Sequence, residues 1–301
     1  MERITRYLRC YFSAIDKRLL FSISVFTALL VFINYYFRLD NSIRKNNSFP
    51  IKLVHWYAVF LVAFFIPYLL TGLVNSFSNF KKTAFLFFLL TAPLLFALKI
   101  TLDISFHFSE NPGWDIYWNY IIYYPALLLI LTCTLFVLWK YFDTNQPFYG
   151  IAKRNLSWRP YLLMLLIMLP VIALASTQTD FLEVYPKLKS VTGIYTEDSI
   201  TWWHKLLFEL SYGSDFITIE LFFRGFLVLA FIKWAGKDAI LPMACFYCTI
   251  HFGKPLGECI SSYFGGIILG VIVYHTRSIY GGLIVHLGIA WMMEIGGYIM
   301  S

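Results

Sequence analysis

Four side chains in the last third of the chain are of types that perform acid–base chemistry. Glu220 and Arg224 are four residues apart, so in a helix they share one face and can pair. His251 ends one apolar run, and His286 lies in the middle of another. A carboxylate oriented by an arginine, next to an imidazole, can activate a water molecule as a general base. The same pattern is also expected for an ion pair and hydrogen-bonded histidines that only hold helices together. A catalytic and a structural interpretation therefore both stay open.

The elements that must position these side chains are strongly apolar. Of the 301 residues, 59% are hydrophobic and 14% are charged, whereas soluble domains have roughly 45–50% and about 25%. This composition excludes a soluble globular protein, a disordered protein and a nucleic-acid-binding module. Apolar runs close to the ~20 residues of a membrane span predict an all-α polytopic bundle of about 8–9 transmembrane helices. The predicted spans are Leu19–Phe37, Val54–Val74, Thr83–Leu102, Asn119–Trp139, Pro160–Ser176, Asp215–Ile232, Ala239–Phe252, Ile260–His275 and Ile279–Met300.

The order of these runs predicts three regions. Residues 1–18 form a basic amphipathic segment, residues 19–200 a five-span membrane region with loops, and residues 201–301 a four-helix core that carries the polar side chains. Residues 1–18 are either an interfacial helix on an anionic leaflet or a basic tail. An excess of Lys and Arg in alternate loops favours a cytoplasmic N-terminus.

Other polar and small residues of the apolar runs have structural explanations. Lys99 is near the end of a span, four residues before Asp103, and a local ion pair or snorkelling of its side chain to the membrane surface explains it. Gly266 and Gly270 predict close helix packing. The five scattered cysteines do not resemble a disulfide framework, and the cysteines near His251 lack an evident fourth zinc ligand. We therefore expect no metal and no other cofactor.

Three blocks in this region resemble the motifs of a known family. Glu220-Leu-Phe-Phe-Arg224 is similar to the end of a Glu-Glu-x-x-x-Arg signature, and Tyr247-Cys-Thr-Ile-His251 to an aromatic-x-x-x-His block. His286-Leu-Gly-Ile-Ala290 is similar to a closing His-x-x-x-Asn block. This order resembles the CPBP family, which contains CAAX prenyl endopeptidases of the Ras-converting type and bacteriocin-processing and self-immunity relatives.

The resemblance implies an intramembrane endopeptidase. It makes Glu220 the second family glutamate and Arg224 its orienting partner, while His251 would hold the attacking water and His286 would face the oxyanion. The implied partners are a peptide or membrane-protein substrate and the lipid bilayer, with no nucleic acid; the oligomeric state stays open. The implied location is integral and multi-pass, in a bacterial inner (cytoplasmic) membrane.

Three positions depart from the family pattern. The first family glutamate falls on Ile219, which cannot accept a proton, and the family asparagine or aspartate falls on Ala290, which cannot donate a hydrogen bond. The third departure is mild, because Tyr247 stands where phenylalanine is usual.

The missing carboxylate leaves alternatives open. Either Glu220 serves alone, or Asp215 or Glu294 substitutes for the first family glutamate. The sequence therefore supports two hypotheses, an active endopeptidase and a catalytically silent pseudoprotease that acts as a membrane binding or immunity protein.

Overall fold

The computed structural model describes residues 2–46, 48–152, 157–192, 194 and 200–300. Within these ranges the secondary structure is helical and contains no strand, which confirms the all-α prediction. The α-helices are α1 (Glu2–Ala14), α2 (Lys17–Phe37), α3 (Leu39–Arg44), α4 (Phe49–Val74), α5 (Thr83–Thr101), α6 (Pro112–Phe142), α7 (Arg159–Ala175), α8 (Thr179–Leu182), α9 (Lys187–Thr192), α10 (Trp202–Glu220), α11 (Ile232–Ala235), α12 (Ile240–Thr249), α13 (Leu256–Thr276) and α14 (Tyr280–Met300).

Among the described residues, six helices are long and apolar enough to cross a membrane, namely α2, α4, α5, α6, α13 and α14. The predicted span at Pro160–Ser176 corresponds to α7, which is apolar but shorter. The predicted span at Asp215–Ile232 covers the end of α10 and a π-helical segment, Leu221–Ala230, into which α10 passes directly. The predicted span at Ala239–Phe252 contains the ten-residue α12. The chain is thus a polytopic helical membrane protein.

The centre of the bundle is formed by α12 and the π-helical segment. Every residue of both elements is buried, and α12 packs against α2, α4 and α13. A Cβ atom at Gly266 would lie 3.3 Å from the Ala244 Cα atom, and one at Gly270 would lie 2.7 Å from the Met243 side chain. The two glycines therefore allow α13 to approach α12 closely, as predicted.

The basic N-terminal segment is a helix, not an unstructured tail. Ile4 and Tyr11 are buried, and the Tyr7 ring stacks on the His275 ring of α13 with centroids 4.6 Å apart. The apolar face of α1 is thus covered by protein, because α13 and α7 offer it a packing surface. Its arginines remain exposed at positions 3, 6 and 9.

Lys99 does not pair with Asp103, so the local ion pair expected from the spacing is wrong. Helix α5 ends at Thr101, which leaves Asp103 outside the helix and off the Lys99 face. The Lys99 Nζ atom instead lies 2.6 Å from Oδ1 of Asp215 on α10.

Candidate active site

Glu220 and Arg224 form an ion pair at the junction between α10 and the π-helical segment. The Arg224 Nη1 atom lies 3.1 Å from Glu220 Oε1, and the two side chains are 1% and 0% exposed. Removing either partner from such a site leaves an uncompensated buried charge, which costs about 3–5 kcal/mol. The two residues therefore depend on each other.

His286 approaches the same carboxylate from α14. Its Nδ1 atom lies 2.8 Å from Glu220 Oε1, and because an ionised carboxylate only accepts hydrogen bonds, the Nδ1–H group donates. In the neutral ring this leaves Nε2 without a proton. Gly282, one turn earlier, makes the approach possible, since a Cβ atom there would lie 2.5 Å from Glu220 Oε2.

Tyr247 of α12 completes this network. Its hydroxyl lies 3.0 Å from His286 Nε2 and donates to it. The Arg224 guanidinium stacks over the Tyr247 ring, 3.9 Å from the centroid, an attractive cation–π contact. A continuous chain thus runs from Arg224 through Glu220 and His286 to Tyr247, and both ring nitrogens of His286 have partners within it.

His251 lies on the other side of Tyr247, in the turn after α12. Its Nδ1–H group donates to the Tyr247 carbonyl oxygen at 3.0 Å, and the two rings are 4.7 Å apart. The donated proton again leaves Nε2 free, and the side chain is only half-buried. A water molecule at Nε2 could therefore lose a proton to His251.

These side chains lie in the part of the chain that matches a known family model. The model of the type II CAAX prenyl endopeptidase Rce1-like family matches residues 202–292. The match begins with α10 and ends within α14, so the Rce1-like segment contains Glu220, Arg224, His251 and His286. It confirms the family resemblance that the motifs indicate. No curated protein and no solved structure gives a significant match.

The departures from the family pattern at positions 219 and 290 lie in apolar surroundings. Ile219 is half-buried and packs against the large apolar cluster that contains α12. Ala290 is buried in a second apolar cluster with Tyr212 and Phe216 of α10. The apolar surroundings of Ile219 and Ala290 therefore do not replace the carboxylate or the amide that the family motif has at these two positions.

The two candidate substitutes are not brought to the histidines. Asp215 pairs with Lys99 of α5, and Glu294 accepts a hydrogen bond from the Lys187 backbone N–H at 2.8 Å. In the part of the chain that the structure describes, neither carboxylate forms a hydrogen bond or ion pair with Glu220, His251 or His286.

Metal binding has little support in the donor set. Among the described residues, no three His, Cys, Asp or Glu side chains are grouped as a metal ion would require. Glu220 Oε1 is already close to the Arg224 cation, whose charge opposes a second cation. The expectation of no cofactor stays a prediction.

Tyr247 was not among the candidate site residues that the sequence indicated. The motif identifies it only as the aromatic residue of the second block, where phenylalanine is usual. Its hydroxyl group distinguishes it from phenylalanine and forms the hydrogen bond to His286. The hydroxyl group was the feature of the sequence that could have indicated a role for Tyr247. Its partner could not be predicted from spacing, because His286 is 39 residues away along the chain.

Proposed function

We propose that this protein is an intramembrane endopeptidase of the CAAX type that hydrolyses a peptide bond near the membrane. The observation that supports the proposal is the convergence of Glu220, Arg224, His251 and His286 around Tyr247. Three separate stretches of the Rce1-like segment contribute these side chains. An ion pair that served only to join two turns of one helix would not need both histidines.

In the proposed reaction, His251 Nε2 accepts a proton from water as the water oxygen attacks the peptide carbonyl carbon. The resulting imidazolium returns that proton to the leaving amide nitrogen, so the C–N bond breaks without a free charge on the amine. The Tyr247 O–H group is the donor available to the oxyanion, if it turns from His286 towards the substrate. Arg224 and Glu220 hold His286 and, through it, Tyr247.

A cleavage assay on purified protein in lipid tests the proposal. Short peptides with hydrophobic tails are incubated with the wild type and with Glu220→Gln, Glu220→Asp and His251→Ala, and products are read by mass spectrometry. We expect His251→Ala to lower cleavage by about 10²–10⁴-fold, the usual contribution of acid–base catalysis. Glu220→Gln should also lower cleavage, because the amide no longer holds His286 and, through it, Tyr247 as the carboxylate does. Glu220→Asp keeps the charge beside Arg224 and separates catalytic loss from misfolding.

Matched controls are available outside the site. His275→Ala removes an exposed histidine that stacks on Tyr7, and Asp180→Asn removes an exposed carboxylate. Both should cleave like the wild type. Cleavage that survives in Glu220→Gln and His251→Ala would disprove the assigned site.

A silent pseudoprotease is the second candidate function, and a specific observation favours it. Ile219 and Ala290 are packed into apolar clusters, and both nitrogens of His286 already have partners. In this state the protein would bind a peptide or membrane protein, as an immunity protein does, without cutting it. Cleavage by Ile219→Glu with Ala290→Asn, but not by folded wild type, would favour this function.

We also propose that the protein lies in a bacterial cytoplasmic membrane with its N-terminus inside the cell. The arginines of α1 support this orientation because positive residues concentrate on the cytoplasmic side. A reporter that is active only in the cytoplasm, fused before α1, should be active. An inactive reporter at that position, in protein that reaches the membrane, would reverse the orientation.

A further inference from the structure

The turn that carries His251 is bordered by three polar side chains that the proposed reaction does not use. The Lys254 Nζ group donates to the Tyr185 hydroxyl at 2.7 Å, and this hydroxyl donates to Glu258 Oε1 at 3.1 Å. Lys254 and Glu258 also form an ion pair at 3.5 Å. Tyr185 is buried, whereas Lys254 and Glu258 are half-buried. We call Tyr185, Lys254 and Glu258 the turn cluster.

The two ends of this turn are fixed to each other. The Cys248 Sγ–H group donates to the Cys259 carbonyl oxygen at 3.3 Å, and the two sulfur atoms are 3.9 Å apart. Cys248 precedes His251 by three residues, and Cys259 follows Glu258 directly. The contact therefore places the first turn of α13, which carries Glu258, beside the His251 turn.

A histidine that accepts a proton in a half-buried site needs a negative charge nearby. Ile219 cannot supply one, and Glu220 Oε1 is already shared by Arg224 and His286. The Lys254 backbone N–H group donates to the His251 carbonyl oxygen at 3.1 Å, and the Lys254 side chain pairs with Glu258. Glu258 is therefore the anion of the turn cluster that borders His251.

We propose that Glu258 is a positioning residue that stabilises the His251 imidazolium. It would supply the negative charge that a carboxylate at position 219 would otherwise provide. Tyr185 and Lys254 hold Glu258 in place through the turn cluster. This inference rests on the proposed hydrolytic function. It assigns a task to a carboxylate that lies outside the three family motifs, on α13.

Steady-state cleavage kinetics test the inference. We expect Glu258→Gln to lower kcat by about 10²-fold with little change in KM, and Glu258→Asp to recover part of the loss. Introducing Ile219→Glu into Glu258→Gln should also restore kcat, which a purely structural role would not allow. Tyr185→Phe, which retains the charge, should have a smaller effect, and Glu183→Gln, at an exposed carboxylate, should have none. An unchanged kcat in folded Glu258→Gln would overturn the inference.

A second readout does not depend on cleavage. Nitrogen-15 NMR of histidine-labelled protein follows His251 protonation across an acid-to-neutral pH series. The midpoint should move to lower pH in Glu258→Gln and stay in place in Glu183→Gln. An unmoved midpoint in Glu258→Gln would overturn the inference even if the wild type cleaves peptides. If the wild type cleaves nothing but the His251 midpoint still moves to lower pH in Glu258→Gln, the interaction between Glu258 and His251 is supported and only the hydrolytic function is disproved.

Discussion

Two ion pairs inside the bundle differ in what else their charges contact. Lys99 and Asp215 join α5 to α10 at 2.6 Å, and their side chains are 10% and 14% exposed. Glu220 and Arg224 pair at 3.1 Å and are almost fully buried, and their charges extend further, to His286 and to the Tyr247 ring.

The difference shows how a structural pair is distinguished from a candidate site. Among the described residues, Lys99 and Asp215 form no ion pair other than the one with each other. The Glu220–Arg224 pair instead orients a histidine and a tyrosine. One buried carboxylate oxygen of each pair, Asp215 Oδ1 and Glu220 Oε2, has no hydrogen-bond partner among the described residues, so the distinction rests on the additional contacts of Glu220 and Arg224.

Replacing each pair by apolar residues is the strongest test of this comparison. Lys99→Met with Asp215→Leu should retain cleavage, because buried ion pairs can often be replaced by apolar residues at little cost in stability. Glu220→Leu with Arg224→Met should lower kcat/KM by about 10³-fold or more. The two double variants are compared in the same peptide assay. Equal loss in both would show that the distinction between the pairs is wrong.

Removing one member of the Lys99–Asp215 pair should instead damage stability. Asp215→Asn leaves the Lys99 ammonium uncompensated and should lower the free energy of unfolding by about 3 kcal/mol, measured by denaturant titration in detergent. The fraction that remains folded should cleave peptides at the wild-type rate. A folded Asp215→Asn protein with lost cleavage would make Asp215 part of the site.

Tyr247→Phe tests whether the network extends beyond the charges. The substitution keeps the ring under Arg224 and removes the hydroxyl that contacts His286. We expect kcat to fall by about 10²-fold, as for loss of an oxyanion donor. Tyr263→Phe, which removes a hydroxyl that contacts Ser24, should leave kcat unchanged. Similar values for the two variants would exclude the Tyr247 hydroxyl from the mechanism.

Gly282→Ala is the mildest change. Its Cβ atom would lie 2.5 Å from Glu220 Oε2 and would have to displace the carboxylate. We expect about a tenfold loss in kcat, because small errors in position slow catalysis. Gly265→Ala is the matched control, since a Cβ atom there meets nothing within 4 Å. A normal kcat in Gly282→Ala would mean that the position of Glu220 is not critical.

Much of the fold could be predicted because a membrane span requires a long apolar run. Each of the nine predicted spans corresponds to a helical segment, although α12 and α7 are shorter than a typical span. The helical state of residues 2–14 was one of two alternatives that the sequence left open. Its docking on α13 could not be predicted, since the same apolar face would suit a lipid surface.

The candidate site was partly predictable for a similar reason. Charged and imidazole groups in apolar helices are costly, so Glu220, Arg224, His251 and His286 were conspicuous. The Lys99–Asp215 pair was not, because its members lie on different helices. In the turn cluster, Lys254 and Glu258 are four residues apart, but Tyr185 is more than 60 positions away from both. Spacing arguments reach only the neighbouring turns of one helix.

By itself, the sequence determined that this is a helical membrane protein with a resemblance to CAAX endopeptidases. Composition and motif order carry those conclusions, and neither depends on how the helices pack. Only the tertiary structure decided that Glu220 shares one oxygen between Arg224 and His286, that Tyr247 joins the two histidines, and that Asp215 and Glu294 have other partners. The physical reason is that hydrogen bonds act over about 3 Å. Donor and acceptor atoms that are far apart along the chain come this close only when the helices that carry them pack together.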